Sequence, residues 1–375
     1  MHALLYAALL LWAFGLINII LNLLFLGKLR GATLDRYPLV SIIVPARNEE
    51  RAIERTVRAM LAQDYPELEV IVVNDRSSDS TGAILDRVAS EDSRLVAVHG
   101  EEPPPDWLGK PWALHQGSLR ARGELLLFVD ADVHYAPAAV STAVQHNEAT
   151  HQDLTFLFPN FEMHGLWENA LMPAVPMTPF TVPIWLGERL PYTYLAIGGG
   201  TGNLIRRAAY DKAGGHAALR DAVIDDVGLA HHVRRSGSHT GIARTEHLVS
   251  VRMYHGFREV VNGFTKNVFT IVGRSYLGAA FFLSIFIVGS LLPFAMALTG
   301  NRVAIATVAL IILSRLIFFA GVGYPLWSAV LLHPLTAVGW MWITIRSTWV
   351  VGIRGQLPWR GRTYDPNRTR FGADR

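Results

Sequence analysis

The stretch "GELLLFVDADVHYAP", residues 123–137, carries five consecutive apolar residues directly into two aspartates separated by one alanine. Continuous apolar runs of this length are typical of parallel strands that are covered on both faces. Two like charges at the end of such a strand repel each other, and each shifts toward its neutral form unless a cation compensates. The stretch therefore predicts a buried parallel strand with either a ligand site or a capped turn at its carboxyl end.

Three further runs of the same kind precede it: "LVSIIVPA" (39–46), "LEVIVVND" (68–75) and "RLVAVH" (94–99). The segments between the runs have helix-forming composition. In "NEERAIERTVRAMLAQ" the apolar residues recur at helical spacing, and "DSTGAILDRVASED" begins with a good N-cap residue. This alternation predicts an α/β fold, with a Rossmann-like, mostly parallel sheet and right-handed crossovers.

The composition indicates that part of the chain lies in a membrane. Apolar residues make up 51% of the 375 residues and charged residues only 17%, against ~25% in an ordinary soluble domain. Residues 3–26 and 276–299 contain no charged side chain, and each is long enough to cross a bilayer at roughly 20 residues per helix. The first stretch lacks the features of a cleaved signal peptide and is predicted to be a retained anchor. With no cysteine, disulfides and thiolate-bound metals are excluded.

Positive charge lies beside the apolar stretches, in "GKLRGATLDR" after the first one and in six arginines between residues 352 and 375. The positive-inside rule then predicts that the polar middle of the chain is cytoplasmic. Two more apolar stretches, 303–324 and 325–345, are interrupted by Arg315 and His333. Three late crossings would place the C-terminal arginines outside, whereas two would keep them inside. We expect two, with one late stretch re-entrant or interfacial.

The predicted organisation has five parts. They are an N-terminal transmembrane anchor (1–27), an α/β domain (38–255), an interfacial amphipathic helix (256–275), a C-terminal transmembrane region (276–350) and a basic tail (351–375). The helix is predicted because "FREVVNGFTKNVFTIVG" (257–273) carries its apolar residues on one face; packing into a core is the alternative. Five prolines between residues 170 and 200 exclude a long helix there.

Acidic and amide side chains end three of the predicted strands. Asp75 ends the second strand, Asp130 and Asp132 end the fourth, and Asn48 and Glu49 lie in the turn after the first. Ligands bind at the carboxyl ends of the strands in open α/β sheets. Because residues two apart in a strand point to the same side, the two aspartates of "DAD" can hold one ligand together. A divalent cation such as Mg²⁺ or Mn²⁺, completed by substrate phosphates, suits such a pair.

Other candidate residues lie farther along the chain. Neither a GxxxxGK[ST] phosphate loop nor a GxGxxG turn after a strand is present, so side chains and metal would hold any phosphates. Lys110, in "PPPDWLGKPWALHQG", can reach a diphosphate or is simply a solvated loop lysine. "IGGGTGNLIRRAAYDKAGG" (197–215) predicts a glycine-rich approach loop that enters a helix. Asp225 and Asp226 begin the next predicted helix, where the helix dipole also favours acids.

Five motifs, in order and spacing, resemble family 2 glycosyltransferases with the GT-A fold. They are "VSIIVPARNEE", "VIVVNDRSSDST", "LLFVDADV", "GGGTGNLIRR" and "DDVGLA". "WLGKPWAL", "RMYHGFREVVNGFTKN" and "WRGRTY" resemble the membrane-anchored branch that includes hopene-associated and carotenoid-type glycosyltransferases. The resemblance covers residues 38–270 firmly and the membrane segments loosely.

The resemblance implies roles for individual residues. Asp75 would contact the base or ribose of a nucleotide, beside the turn that holds Pro45, Asn48 and Glu49. Asp130 and Asp132 are similar to the family's DxD element, with Asp132 as the direct metal ligand. Lys110, Gly200 and Asn203 would complete the nucleotide-sugar site. Asp226, with Asp225 beside it, matches the family's second acid pair and would be the general base of an inverting transfer.

The resemblance also implies a reaction. The QxxRW element of processive members is absent, which favours transfer of a single sugar from a nucleotide sugar, typically UDP-linked. The expected acceptor is a lipid hydroxyl of a hopanoid, carotenoid, sterol-like lipid or glycerolipid, and no nucleic acid is expected as a partner. The expected location is the inner membrane of a bacterium, with the catalytic domain in the cytoplasm. A processive polysaccharide synthase and a catalytically silent membrane scaffold are the alternatives.

Overall fold

The computed structural model describes residues 1–359, 362–365 and 369–370. It divides into two compact units. The sheet unit comprises Gly27–Asn160, Leu186–Arg252 and Arg368–Arg375. The helical unit comprises Met1–Leu26, Phe161–Trp185 and Met253–Asn367. The continuous α/β domain expected over 38–255 is therefore interrupted, because residues 161–185 belong to the helical unit.

The helices, in chain order, are α1 (His2–Phe25), α2 (Ile53–Leu61), α3 (Thr81–Glu91), α4 (Gly109–Arg120), α5 (Ala139–Thr150), α6 (Gly165–Leu171), α7 (Ala174–Phe180), α8 (Arg207–Lys212), α9 (Asp225–Arg235), α10 (Gly256–Thr265), α11 (Val268–Ile271), α12 (Tyr276–Phe286), α13 (Leu292–Ala297), α14 (Arg302–Val322), α15 (Leu326–Leu331) and α16 (His333–Ser347). The strands are β1 (Val40–Ala46), β2 (Leu68–Asn74), β3 (Leu95–His99), β4 (Leu125–Phe128), β5 (Val133–Tyr135), β6 (Leu154–Phe158), β7 (Asn160–Phe161), β8 (Asn203–Arg206), β9 (Thr240–Arg244), β10 (Val249–Val251), β11 (Leu357–Trp359) and β12 (Arg362–Tyr364).

The sheet unit is built on a seven-stranded sheet in the order β3-β2-β1-β4-β8-β6-β9. Strands β1 to β4, all four predicted from their apolar runs, pair in parallel with their neighbours in this group. Strand β8 runs antiparallel to both β4 and β6. The prediction of a mixed α/β fold with a mostly parallel sheet is confirmed.

The core of the sheet unit forms where both faces of the central strands are covered. Ile43, Ile71 and Leu126 are completely buried, and they share one apolar cluster with residues of α4 and α9. Helix α2 has the predicted amphipathic spacing, since Ile53 and Val57 are also completely buried. Each such side chain contributes about 1.5–3 kcal/mol when it is fully buried, so these runs determine the fold.

Strand β8 is the main departure from the predicted organisation. The sequence predicted that the glycine-rich segment enters a helix, but residues 203–206 first form a strand, and α8 follows it. Phe128 of β4 pairs with Asn203 of β8 in this antiparallel arrangement. The glycines just before Asn203 are thereby brought next to the "DAD" turn that follows β4.

Three described helices of the helical unit are long and apolar enough to cross a membrane: His2–Phe25, Tyr276–Ala297 and Arg302–Val322. The second comprises α12 and α13 with a π-helical segment between them. No aspartate or glutamate occurs between residues 260 and 364. Helix α16 continues into a π-helical segment over Thr348–Ile353, and this stretch is not among the described helices that are long and apolar enough to cross a membrane. This agrees with two late crossings, whose number stays a prediction.

Two further expectations concern the helical unit and the tail. The single helix predicted over 256–275 is broken into α10 and α11, and its residues Val260, Val261 and Phe264 are buried within the unit. Core packing therefore accounts for most of its apolar face. The segment 165–186 forms only short helices, as its prolines predicted. Part of the basic tail, residues 360–361, 366–368 and 371–375, lies outside the described residues.

Candidate active site

The "DAD" segment lies in a turn and not in the strand. Strand β4 ends at Phe128, and residues 131–132 form a turn before β5. The backbone N–H of Asp130 donates to the carbonyl of Gly200 at 2.7 Å, which ties the turn to the glycine-rich segment before β8. The extended geometry expected for Asp130 and Asp132 is therefore wrong. Both aspartates nevertheless follow a central strand at its carboxyl end, where a ligand was predicted.

The glycine loop approaches the acids too closely for any larger residue. A Cβ atom built on Gly200 would overlap the carboxylate of Asp130, and one built on Gly198 would overlap the backbone carbonyl of Asp226. The glycines are needed here because they let backbone pass beside these two acids. The predicted close-approach loop exists, and in this structure the groups that it approaches are side-chain and backbone oxygens of the candidate site.

Asn203 connects this loop to the beginning of α9. Its side-chain amide donates to the backbone carbonyl of Asp226 at 3.3 Å, and its Oδ1 accepts from the N–H of Gly199 at 3.3 Å. The residue is only 1% exposed, so both bonds are shielded from water. Asn203 therefore orients the acidic helix start in addition to lining the cavity.

Lys110, on α4, joins the two acidic segments. Its Nζ lies 2.7 Å from Oδ1 of Asp130 and 3.5 Å from Oδ1 of Asp225. Burial alone lowers the pKa of Lys110, but attraction by Asp130, Asp225 and Asp226 outweighs it and holds the pKa well above its usual value. The solvated loop lysine is therefore the wrong alternative, and Lys110 is a buried cation of the candidate site.

The two acids at the start of α9 differ in their surroundings. Asp225 is 3% exposed, and burial raises its pKa to about 7, although Lys110 opposes this shift. Asp226 is half-buried, and its Oδ1 accepts from the N–H of Val227 at 2.8 Å. The amino end of α9 also favours negative charge. Asp225 is thus enclosed behind Lys110, while Asp226 presents a partly accessible carboxylate.

A histidine that the sequence did not single out completes one wall. His216 is 1% exposed, and its Nδ1 lies 2.8 Å from the hydroxyl of Tyr210, which also bonds Ser118. Its ring packs edge-on against Phe128 at 4.7 Å. No spacing pattern distinguished this histidine from the other thirteen in the chain. Only the position directly after the glycine-rich stretch could have drawn attention to it.

The residues predicted near the nucleotide form a second group at the ends of β1 and β2. Asp75 is 6% exposed and lies between two arginines, with Arg76 Nη2 at 3.1 Å from its Oδ1 and Arg47 Nη1 at 3.7 Å from its Oδ2. Neither arginine was predicted from the sequence, although both lie inside the quoted motifs. Each arginine directly adjoins a predicted nucleotide-contacting residue in the sequence, and this position is the signal that could have found them.

The turn after β1 is tied to the turn after β2. The N–H of Asn48 donates to Ser77 Oγ at 2.9 Å, and the N–H of Glu49 donates to Thr81 Oγ1 at 2.9 Å. Asn48 adopts a left-handed backbone with φ of 53°, a region that asparagine tolerates. Pro45 lies near the end of β1, opposite Val73 of β2. These bonds hold the two turns together at the ends of β1 and β2.

The structure therefore arranges the predicted residues in two groups along one edge of the sheet, apart from Asp132, which lies in the turn after β4 and is not among the residues lining the cavity. Six of them line one cavity: Lys110, Asp130, Gly200, Asn203, Asp225 and Asp226. The other group, Pro45, Asn48, Glu49 and Asp75, lies at the ends of β1 and β2, and β1 is the neighbour of β4 in the sheet. This common edge is where a ligand was predicted to bind.

The donor chemistry of the turn fits a hard divalent cation. The described residues contain no cluster of three or more His, Cys, Asp or Glu side chains arranged for a metal. Mg²⁺ and similar ions, however, are commonly held by one or two carboxylates and substrate phosphates. Asp130 supplies such a carboxylate, held against Gly200 in a space that any side chain there would fill. Asp132, two residues on, is half-buried.

Comparison with known proteins agrees with this architecture. The sequence profile of glycosyl transferase family 2 matches residues 41–214. The 4,4'-diaponeurosporenoate glycosyltransferase of Staphylococcus aureus is 26% identical over 353 residues, covering 90% of this chain and 91% of that protein.

Among solved structures, the mannosyltransferase PcManGT of Pyrobaculum calidifontis, in complex with GDP-Man and Mn²⁺, superposes with a TM-score of 0.54 at 18% identity. The match covers 93% of this chain and 99% of that one, and it supports the fold. Residues 41–214 therefore form a glycosyltransferase family 2 domain with the GT-A fold, and the chain is a glycosyltransferase whose described residues include three helices long and apolar enough to cross a membrane.

Proposed function

We propose that this protein moves one sugar from a nucleotide sugar to a hydroxyl group of a membrane lipid, with inversion at the anomeric carbon. The observation that carries the proposal is that Asp130 and Asp226, from different elements, line one cavity. An inverting transfer needs a cationic site for the leaving diphosphate and a base on the acceptor side. The two acids would supply these from two different elements that line the same cavity.

On the donor side, Asp130 and Asp132 would hold a divalent cation, Mg²⁺ or Mn²⁺, which offsets charge on the departing nucleoside diphosphate. The solved relative of this fold binds Mn²⁺ with its sugar nucleotide. Lys110 contributes a second positive charge at the same place. Gly200 leaves room for the ligand beside Asp130, and Asn203 fixes the loop. Asp75, Asn48, Glu49 and Pro45 form the wall for the base and ribose.

On the acceptor side, Asp226 is the proposed general base. The residue is half-buried and lines the cavity, and the N–H of Val227 orients its carboxylate. Proton transfer by a positioned carboxylate typically contributes 10²–10⁴-fold to a rate. Asp225 is a positioning residue, because it is enclosed and holds Lys110.

The lipid acceptor is proposed from the helices and from the relative. Within the part of the chain that the structure describes, three helices are long and apolar enough to span a bilayer, and the Staphylococcus aureus relative is named for a carotenoid acceptor. Arginines beside the membrane segments favour a cytoplasmic catalytic domain at the bacterial inner membrane. A hopanoid, sterol-like lipid or glycerolipid would meet the same physical requirements.

A carboxylate acceptor is the second candidate, because the relative's acceptor is named as an "-oate". The two candidates differ in their need for a base. A hydroxyl must lose its proton as it attacks, whereas a carboxylate is already deprotonated near neutral pH. Asp226 should therefore be essential for a hydroxyl acceptor and nearly dispensable for a carboxylate acceptor.

Lipid analysis of cells that carry or lack the protein tests this proposal. We expect one glycolipid to disappear without the protein and to return with the wild type, but not with Asp132→Ala or Asp226→Asn. Asp211→Asn, which changes an exposed acid of the sheet unit, should restore it fully. Loss of a lipid without sugar would contradict the transferase function, and rescue by both acid variants would favour a silent scaffold. Long saccharide chains would indicate a processive synthase.

A further inference from the structure

The charge balance of the candidate site depends on one lysine. Lys110 Nζ contacts Asp130 and Asp225 together, and its side chain is only 17% exposed. The chain has four lysines among 34 cationic residues, and Lys110 alone among the four lines this cavity. Arginine, the cation that this chain mostly uses, is a rigid fork suited to one carboxylate, whereas an ammonium is a compact point charge on a flexible stem.

This ammonium contacts the same carboxylate that is proposed to bind the cation. The Lys110–Asp130 distance of 2.7 Å is a direct charge-assisted contact. A divalent ion on Asp130 would be repelled by the ammonium and would have to displace it from that oxygen. Because the Lys110 side chain is only 17% exposed, the displaced ammonium requires another anion, and a diphosphate provides one.

We propose that Lys110 is an internal counter-ion that competes with the divalent cation until the nucleotide arrives. In the nucleotide-free protein the lysine is shared by Asp130 and Asp225 and, as a cation on Asp130, keeps metal affinity low. When the sugar nucleotide binds, its diphosphate takes over the ammonium, and Asp130 becomes available to the metal. Metal and nucleotide therefore bind tightly only together. This inference rests on the proposed function and adds to it the order of binding.

The test measures Mn²⁺ binding by the full-length protein in detergent, without nucleotide, by calorimetry and by the electron paramagnetic resonance signal of free Mn²⁺. Lys110→Met removes the charge, and Lys110→Gln keeps an amide that can bond the carboxylates. Loss of an opposite charge this close changes cation affinity of a carboxylate by about tenfold or more. We therefore expect both variants to bind Mn²⁺ at least about tenfold more tightly than the wild type. Lys110→Arg and the exposed control Lys212→Met should not.

A second measurement separates competition from simple structural support. Without metal, Lys110→Met should melt at a lower temperature, because the acids then repel each other, and Mn²⁺ should restore the melting temperature. A lysine that only supports the fold would give a loss that Mn²⁺ does not reverse. UDP should raise Mn²⁺ affinity more in the wild type than in Lys110→Met, since only the wild type has a lysine to release.

The outcomes distinguish the two levels of the proposal. Equal Mn²⁺ affinity in wild type and Lys110→Met overturns the counter-ion inference and leaves the metal site standing. Absence of Mn²⁺ binding by every variant, with and without UDP, overturns the metal site of the proposed function and this inference with it. Tighter binding by Lys110→Met and Lys110→Gln, with rescue of melting by Mn²⁺, supports both.

Discussion

Asp75 follows strand β2 and Asp130 follows strand β4 at the same edge of the sheet, but different cations balance their negative charges. Asp75 lies between Arg47 and Arg76, and Arg76 also pairs with Glu102, so two guanidinium groups serve two carboxylates. In the lysine-bridged group, Lys110 alone serves both Asp130 and Asp225. The arginine-flanked group around Asp75 therefore has one cation for each of its carboxylates, whereas the lysine-bridged group has one cation for two.

The difference shows which group is fixed and which can change partners. Guanidinium forks hold a carboxylate in one orientation, so Asp75 is suited to recognise a ligand without moving. A shared ammonium leaves the second group short of positive charge, so a cation can be added there. We therefore expect changes in the lysine-bridged group to affect turnover and changes in the arginine-flanked group to affect affinity.

The largest effect is expected for Asp226→Asn, which removes the proposed base from the lysine-bridged group. Turnover should fall by about 10²–10⁴-fold while KM for the nucleotide sugar stays nearly constant, because the amide cannot accept the acceptor's proton. Steady-state kinetics with purified protein and an acceptor lipid measures this. The exposed Asp211→Asn is the control. A variant with normal turnover would exclude Asp226 as the base or point to a carboxylate acceptor.

A somewhat smaller effect is expected for Gly200→Ala. The added Cβ would overlap the Asp130 carboxylate, so the loop or the aspartate must shift. Displacements of about 1 Å near reacting groups can lower rates by about 10²-fold. Gly27→Ala is a matched control, since its Cβ would make an ordinary contact of 3.5 Å with His146. Wild-type activity in Gly200→Ala would show that the loop adapts and that the close approach is unnecessary.

The sequence predicted the first half of the fold well for a physical reason. Strands β1 to β4 are continuous apolar runs, and this pattern is typical of strands covered on both faces. Strand β8 was missed because its four residues contain only two apolar ones and follow several glycines. A short strand inserted antiparallel between two others depends on tertiary pairing, which local periodicity does not report.

The acidic residues of the candidate site could be predicted from the sequence, but the contacts that they make with other residues could not. Asp130 and Asp225 were singled out because acids follow a strand or begin a helix. That one ammonium joins them could not be read from the sequence, because Lys110 is 20 residues from one and 115 from the other. Such contacts are decided by the packing of α4 against the sheet.

In the arginine-flanked group, Asp75→Asn should weaken nucleotide-sugar binding by roughly 10- to 100-fold, the value of about 1.5–3 kcal/mol for a hydrogen bond to a charged group. Turnover at saturating donor should change little, because Asp75 is not among the residues lining the cavity with Asp226. Calorimetric titration with UDP and GDP measures the loss, and the exposed Asp64→Asn is the control. A fall in turnover with unchanged affinity would reverse the contrast between the two groups.

The smallest expected effect is a change in folding stability with pH. His216 lines the same cavity as Lys110. Burial lowers its pKa from 6.5 to about 3, with smaller contributions from Lys110 and His115. The folded state therefore favours the neutral ring. This stability is fully present above pH 6.5 and is lost as pH falls toward 3. At pH 5 the loss is at most about 2 kcal/mol, taken from about 1.4 kcal/mol per pH unit.

Thermal unfolding of the full-length protein in detergent at pH 7 and pH 5 isolates this contribution. His216→Asn cannot take up the proton, so its melting temperature should fall less between the two pH values than that of the wild type. His151→Asn is the matched control, because His151 is exposed and its φ of 53° suits asparagine. Equal pH dependence in His216→Asn and the wild type would mean that the ring is protonated without resistance. The cavity wall around His216 would then be less enclosed than the burial of its residues indicates.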